Sequence, residues 1–135
     1  GGYLVTDDFW GSYEWETFRQ TMERVLPGHP ITDLAESDSV MHVLYDIQDK
    51  DRTFIPGSRH LGGVSGGRVQ IYQPPGTVPA WRAMYDPRNR MVVAANYNTD
   101  IGDAWEYADD KFYPERIASV AMRIGINTIV YSMTH

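Results

Sequence analysis

The sequence predicts an α/β domain, and three of its features indicate that class. Residues 91–95 are apolar on both faces, which is typical of a central strand covered on both sides. A short apolar strand at residues 3–6 precedes a segment in which Trp15, Phe18 and Met22 repeat at helical spacing. Another amphipathic helix is predicted to begin at Pro114, because the apolar residues behind it share one face.

The first half of the chain predicts short elements with clear boundaries. The first strand is expected to be buried and to end at Asp7 and Asp8, and Ser12 is expected to cap the helix that follows. Pro27 and the glycine behind it end that helix. Residues 31–34 predict a second short strand, and residues 37–44 predict a helical turn or short helix capped by Ser37 or Asp38.

The second half begins with residues 49–81, which contain six glycines and four prolines and are therefore expected to be mostly loop. A loop of this length is either functional or a sign that elements have been missed. Residues 81–85 and 90–97 flank a turn sequence with Pro87, which predicts a β-hairpin. The last helix either ends at Gly125, with a strand after it, or continues to residue 133.

Composition predicts one soluble domain. The chain has 135 residues, 42% of them hydrophobic, which is enough for a single core. A formal charge of -6 without a basic cluster argues against nucleic acid as a partner. No apolar stretch is long enough to cross a bilayer. The absence of cysteine removes disulfides and thiolate chemistry.

Three segments resemble a known family. They are GGYLVTDDFWGSYEWETFRQTMERVLP, NYNTDIGDAWEYADD and AMRIGINTIVYSMTH, and they are similar to the bacterial domain of unknown function 4159 family. The resemblance spans essentially the whole chain. It implies the class I glutamine amidotransferase-like fold group: a three-layer, flavodoxin-like α/β arrangement with a mainly parallel sheet flanked by helices and a helical closing segment.

The resemblance also carries expectations about chain organisation and activity. The family has further strands and a helix upstream, so residues 1–135 are expected to be one domain that forms the C-terminal part of a larger one. It implies no established activity. Glutamine amidotransferases use a cysteine nucleophile, which this chain lacks, so that reaction is excluded. Ser65 lies in a Gly-rich segment that matches a serine nucleophile elbow only loosely, and a flexible loop is favoured there.

Polar residues follow two of the predicted strands. If those strands are parallel neighbours, their carboxyl ends bring the polar residues together at one edge of the sheet, where ligands bind in open α/β sheets. The candidate ligand-binding residues are Asp7, Asp8, Trp10, Asn96, Asn98, Asp100, Asp103 and Glu106.

Three interpretations of this edge remain open. Asp7, Asp8, Asp100 and Asp103 could provide oxygen ligands for Ca²⁺ or Mg²⁺, although no cofactor is predicted outright. Asp103 or Glu106 could stay protonated against Trp105 while Asp100 is ionised, for acid/base catalysis. For any single carboxylate, a capping role is favoured, with Asp103 capping a short helix.

The aromatic residues near this edge suggest a sugar-like ligand, because Trp and Tyr faces pack on sugar CH groups. Trp10 is the one expected to be partly exposed, whereas Trp15 is expected in the core and Trp105 against the sheet. No pair of histidines suggests zinc, and His60 is expected to be a solvated loop residue, with a mobile acid/base lid as the alternative.

The leading functional hypothesis is a non-catalytic domain that binds a small polar ligand or a protein partner, within a protein that is expected to be periplasmic or associated with the cell envelope. The alternative is a hydrolase that acts on a carbohydrate-like substrate with carboxylates or a divalent metal. The sequence carries no signal for the oligomeric state.

Overall fold

The computed structural model describes residues 2–135, in which a four-stranded sheet and a separate two-stranded hairpin are accompanied by three α-helices. The strands are β1 (Leu4–Thr6), β2 (Thr32–Asp33), β3 (Leu61–Ser65), β4 (Arg68–Ile71), β5 (Ala80–Tyr85) and β6 (Met91–Tyr97). The helices are α1 (Gly11–Val25), α2 (Ile101–Glu106) and α3 (Glu115–Thr134). Short 3-10 turns lie at Ser39–Met41, Asp49–Asp51 and Ser58–His60.

The four-stranded sheet is mixed, and most of its pairings are antiparallel. Its order is β1-β6-β5-β2, with β1 parallel to β6 and the other two pairings antiparallel. The prediction of a three-layer, mainly parallel, flavodoxin-like fold is therefore wrong. The reason is local. Residues 86–90 connect β5 to β6 in a tight turn, and a connection this short can join only antiparallel strands, because parallel strands need a long crossover. The hairpin predicted at this turn is confirmed.

Helices pack on both faces of the sheet. On one face, α1 contributes Met22 to a small cluster with Met84 and Val93. On the other face, α2 and α3 pack over the larger core, which includes Met91 and Ala94 of β6. The central position predicted for β6 is therefore confirmed, since residues of this strand contribute to both clusters.

Strand β1 is less buried than expected. It pairs only with β6 among the described strands, and Leu4 and Val5 are 42% and 39% exposed. The prediction of a buried first strand is wrong because an edge strand leaves one side open.

Residues 49–81 are more ordered than the loop that their composition predicts. They contain the β3–β4 hairpin, whose turn residues Gly66 and Gly67 both have positive φ, as a tight two-residue turn requires. Ser65 ends β3 opposite Arg68. It is therefore part of a hairpin, and neither the flexible loop nor the nucleophile elbow describes it.

The last helix is continuous, and Gly125 lies inside it. A Cβ at this position would lie 2.6 Å from the ring carbon Cζ2 of Trp105, so glycine allows α2 to pack closely on α3. Across residues 2–135, neither α3 nor any other helix has the length and apolarity needed to span a bilayer.

Candidate functional site

The two acidic segments meet at the start of α2. Because β1 and β6 are parallel and Thr6 pairs with Ala95, the chain leaves both strands at the same edge of the sheet. Oδ2 of Asp7 accepts a hydrogen bond from the Gly102 amide at 2.6 Å. Oδ1 of Asp100 accepts one from the Asp103 amide at 2.8 Å and so caps α2. The capping role predicted for Asp103 thus belongs to Asp100.

A third segment, residues 55–58, closes over these aspartates; the sequence brought this loop to the sheet edge only in the alternative interpretation of His60 as part of a mobile lid. The Ser58 amide donates to Oδ2 of Asp103 at 2.7 Å, and the Asp100 amide donates to the Ile55 carbonyl at 2.9 Å. A Cβ on Gly57 would overlap Oδ2 of Asp100 and lie 3.2 Å from Oδ2 of Asp103. Only glycine allows the chain to approach the carboxylates this closely at position 57. This glycine is the sequence signal that could have placed the loop at the site. We refer to Asp7, Asp100 and Asp103 as the acidic cluster.

The acidic cluster has unusual electrostatics because its carboxylates are close together and poorly solvated. Burial, reinforced by the charges of neighbouring aspartates, raises the pKa of Asp100 to about 7, although the hydrogen bond from the Asp103 amide opposes this shift. Burial likewise raises the pKa of Asp7, against hydrogen bonds from the first turn of α2. Asp100 is therefore far more readily protonated at neutral pH than an ordinary aspartate.

This pattern differs from the acid/base assignment made from the sequence. The carboxyl with the strongly raised pKa is Asp100, which was expected to be ionised. Trp105 does not provide an apolar pocket for Asp103 or Glu106, because its indole Nε1 donates to the Ala121 carbonyl of α3 at 2.9 Å. Trp105 packs on α3, which also corrects its expected place against the sheet.

Beside the acidic cluster lies an aromatic group formed by Trp10, Phe54 and His60. The ring centroids of Trp10 and His60 are 4.4 Å apart, and Phe54 lies 5.8 Å from Trp10. The Gly57 amide donates to Nδ1 of His60 at 3.1 Å, and burial lowers the pKa of this histidine, with a further contribution from Arg59. His60 is buried and neutral at pH 7, so its expected solvation is wrong.

Asp8 and Arg59 complete the surface next to Trp10. Oδ1 of Asp8 accepts hydrogen bonds from Nε1 of Trp10 at 2.7 Å and from Nη2 of Arg59 at 2.6 Å. The Arg59 guanidinium also lies 5.4 Å from the centre of the Trp10 ring, a cation–π contact. Trp10 is partly exposed, as predicted. We call Asp8, Trp10, Phe54 and Arg59 the aromatic rim.

Three other candidate residues do not join this arrangement. Asn98 is buried, and its amide accepts from the Gly11 amide and donates to the Val78 carbonyl. Asn96 is buried among core residues such as Leu34 and Ile124. Glu106 is exposed and accepts no hydrogen bond from residues 2–135. The two asparagines therefore support the fold around the cluster.

The cluster differs from a preformed metal cage or deep pocket. Among the described residues, no group of three or more His, Asp or Glu side chains has a geometry suited to a metal ion. The larger cavities lie elsewhere: one of about 490 Å³ between the β5–β6 turn and the end of α3, one of about 460 Å³ beside β1, and one of about 400 Å³ between α1 and residues 28–31. None of these cavities is lined by a carboxylate of the acidic cluster.

Comparison with known proteins identifies the family. No curated protein and no solved structure matches the chain. A model of the family described as Domain of unknown function (DUF4159) matches residues 1–133. The resemblance seen in the sequence is thereby confirmed, whereas the amidotransferase-like fold expected from it is not supported by the mostly antiparallel sheet. The chain belongs to the DUF4159 family.

Proposed function

We propose that the chain is a non-catalytic domain that binds a small polyhydroxylated ligand, such as a sugar, at the aromatic rim. One observation carries the proposal: each carboxylate of the acidic cluster holds a backbone amide of the fold, while Trp10 and its polar neighbours stay accessible beside it. Carboxylates engaged in this way suit a rigid support better than a reaction centre.

The rim combines two features that recognise polyols. The part of the Trp10 indole that Arg59 and His60 leave exposed is an apolar surface for sugar CH groups, and the orientation of the indole is fixed by Asp8 and Arg59. The side chains of Asp8 and Arg59 are themselves exposed, so they can exchange hydrogen bonds with ligand hydroxyls. The rings of His60 and Phe54 pack against the indole.

The proposal is tested by NMR titration of the indole Nε1–H of Trp10 with a panel of hexoses, hexuronic acids and inositol. A binding sugar is expected to shift this resonance and to raise the unfolding midpoint, because ligands that bind the native state stabilise it. Trp10→Ala removes the NMR reporter, so its readout is the unfolding midpoint, which the sugar should no longer raise. Tyr13→Ala, at an exposed aromatic on α1, is the matched control and should retain both effects. No response to any sugar would contradict the proposal.

A second candidate function is hydrolysis of a carbohydrate-like substrate, which the pKa of about 7 at Asp100 favours because a general acid must be protonated near neutral pH. Asp7, beside it, would stabilise developing positive charge. Chromogenic glycosides, with and without Ca²⁺ or Mg²⁺, test this candidate. Turnover that falls above about pH 7 and disappears in Asp100→Asn would support it. Turnover unchanged in that variant would count against it.

A further inference from the structure

Helix α3 is apolar on two opposite faces. Its inner face includes Ala121 and Ile124, which are buried against the sheet and α2. Its outer face carries Met122, Ile126, Ile129 and Met133, which are 39%, 37%, 59% and 80% exposed. An apolar stripe on a helix normally faces another part of the protein or a partner. The outer face of α3 therefore lacks a partner within residues 2–135.

The apolar residues of the outer face are spaced like those at a helix–helix interface, and we call these four residues the seam. Met122, Ile126, Ile129 and Met133 are separated by four, three and four residues, which is the spacing of the apolar positions in a coiled coil. Read in either direction, the pattern is the same: methionine, isoleucine, isoleucine, methionine. Such a surface can pair with its own copy in the opposite direction and keep matched layers. A two-fold interface requires this self-complementarity.

We propose that the outer face of α3 is a homodimer interface, in which α3 packs antiparallel against α3 of a second copy of the chain. The two-fold axis would pass near residues 127–128. Ile126 would then face Ile129 of the second copy, and Met122 would face its Met133. The antiparallel direction is favoured over the parallel one because it places opposite ends of the two helix dipoles together.

The exposed area and the charges agree with a second copy as the occupant. Trp105 is also exposed beside the outer face of α3, because it packs on Gly125, which lies next to Met122 and Ile129 on the helix surface. At about 200 Å² for a whole large residue, Trp105 and the four seam residues expose roughly 500 Å², so two copies would together bury about 1,000 Å², the lower limit for a specific interface.

The flanking cation on this stretch of α3 does not oppose the pairing. Arg123 lies beside the seam. In the antiparallel arrangement it would lie nearest Val130 and Ser132 of the second copy, which carry no charge. Like charges are therefore not brought together at the centre of the interface.

Sedimentation equilibrium tests the association. The chain should be dimeric, and Ile126→Glu combined with Ile129→Glu should weaken the dimer by at least about 100-fold. Val78→Glu places a single glutamate on an exposed apolar residue away from α3 and should leave the dimer intact; Ile129→Glu alone, which adds the same single charge on the seam, should weaken it. Circular dichroism verifies that each variant is folded. A chain that stays monomeric up to about 1 mM would overturn the proposal.

Cysteine cross-linking tests the direction of packing, and it is unambiguous because the chain has no native cysteine. Met122→Cys and Met133→Cys are each prepared alone and then mixed under oxidising conditions. The antiparallel arrangement predicts a disulfide-linked dimer only in the mixture, since two copies of residue 122 would lie roughly 16 Å apart along the helix axis. Cross-linking of either variant with itself, or none in the mixture, would overturn the antiparallel pairing.

Discussion

Asp100 joins the parts of the acidic cluster through a single carboxyl group. Its Oδ1 caps α2, and its Oδ2 lies against Gly57. The charges of Asp7 and Asp103 are close enough to raise its pKa. Only one of its two oxygens accepts a hydrogen bond from the described residues. The side chain is 5% exposed, so solvent does little to stabilise its ionised form.

This environment leads to a direct prediction for Asp100. Its carboxyl resonance, followed by carbon-13 NMR, should titrate near pH 7 instead of near its ordinary value of 3.8. Asp103→Asn should lower that pKa by roughly half a unit to one unit, because it removes a nearby charge but leaves the larger effect of burial. Glu106→Gln is the control and should change nothing. Titration of Asp100 near pH 4 would contradict the electrostatic account of the cluster.

Gly57 provides the second prediction at this scale. Gly57→Ala would place a methyl group against the carboxylates of Asp100 and Asp103, both of which are held by backbone amides. We expect a loss of about 1–3 kcal/mol in the free energy of unfolding, as for other overpacked sites. Gly63→Ala, where a Cβ meets no atom within 4 Å, should change stability by less than about 0.5 kcal/mol. Urea unfolding measures both, and equal effects would refute the steric explanation.

At the scale of elements, the contact between α2 and α3 depends on Gly125. Alanine inside a helix is ordinarily favoured over glycine by about 1 kcal/mol. Here the new Cβ would lie 2.6 Å from Cζ2 of Trp105, so Gly125→Ala should destabilise the protein instead. Trp105→Ala removes the obstacle, and in that background Gly125→Ala should become neutral or stabilising. A double-mutant cycle of unfolding free energies measures this coupling, and strictly additive effects would exclude it.

The elements that the sequence predicted well are those with local signals. The β5–β6 hairpin follows from its proline turn, β2 from a short apolar run, and the 3-10 turn at Ser39–Met41 from Asp38, which accepts a hydrogen bond from the Val40 amide. The β3–β4 hairpin was missed because Gly66 and Gly67, which form its turn, were interpreted as loop residues. A pair of glycines between short apolar runs is itself a hairpin signal.

The candidate site was predictable only where topology entered the argument. The meeting of Asp7 with Asp100 followed from assuming that their strands are parallel neighbours, which β1 and β6 are. Asn96 and Asn98 were included because they lie in the same segment, although the fold buries both. The approach of Gly57 and His60 depends on contacts across more than 40 residues, which periodicity does not report. Local sequence patterns thus located the edge of the sheet where the site lies, but they did not identify all the residues that form it.

At the scale of the whole molecule, one sheet supports the two regions for which we propose different tasks. The carboxyl ends of β1 and β6 carry the acidic cluster and the aromatic rim. The outer face of α3 lies on the far side of the helix that covers the larger core. The proposed binding at the rim and the proposed pairing through α3 would therefore use separate surfaces. A dimer would present two rims, and a ligand with repeated units could engage both.

The dependence of global stability on pH follows from groups in the site. Asp100 and Asp7 have raised pKa values in the folded protein, so the stability they contribute is fully present below about pH 4 and is lost as pH rises through their folded values, about 7 for Asp100. His60 has a lowered pKa, so its contribution is present above about pH 6.5 and is lost as pH falls. The two effects oppose each other between these limits, and the shift of Asp100 is the larger.

We therefore expect the unfolding midpoint to be highest near about pH 5, where surface repulsion is also smallest, and to fall toward pH 8. Urea unfolding from pH 4 to pH 8 measures the dependence of stability on pH.

Two variants separate the causes of this dependence. Asp100→Asn keeps a cap for the Asp103 amide but cannot ionise, so it should flatten the fall in stability between pH 5 and pH 8. His60→Asn retains an acceptor for the Gly57 amide and should make stability rise more steeply on acidification below pH 6.5. Glu106→Gln, at an exposed site, should parallel the native protein. An optimum at pH 7 to 8, unchanged by Asp100→Asn, would show that the acidic cluster does not control the stability of this fold.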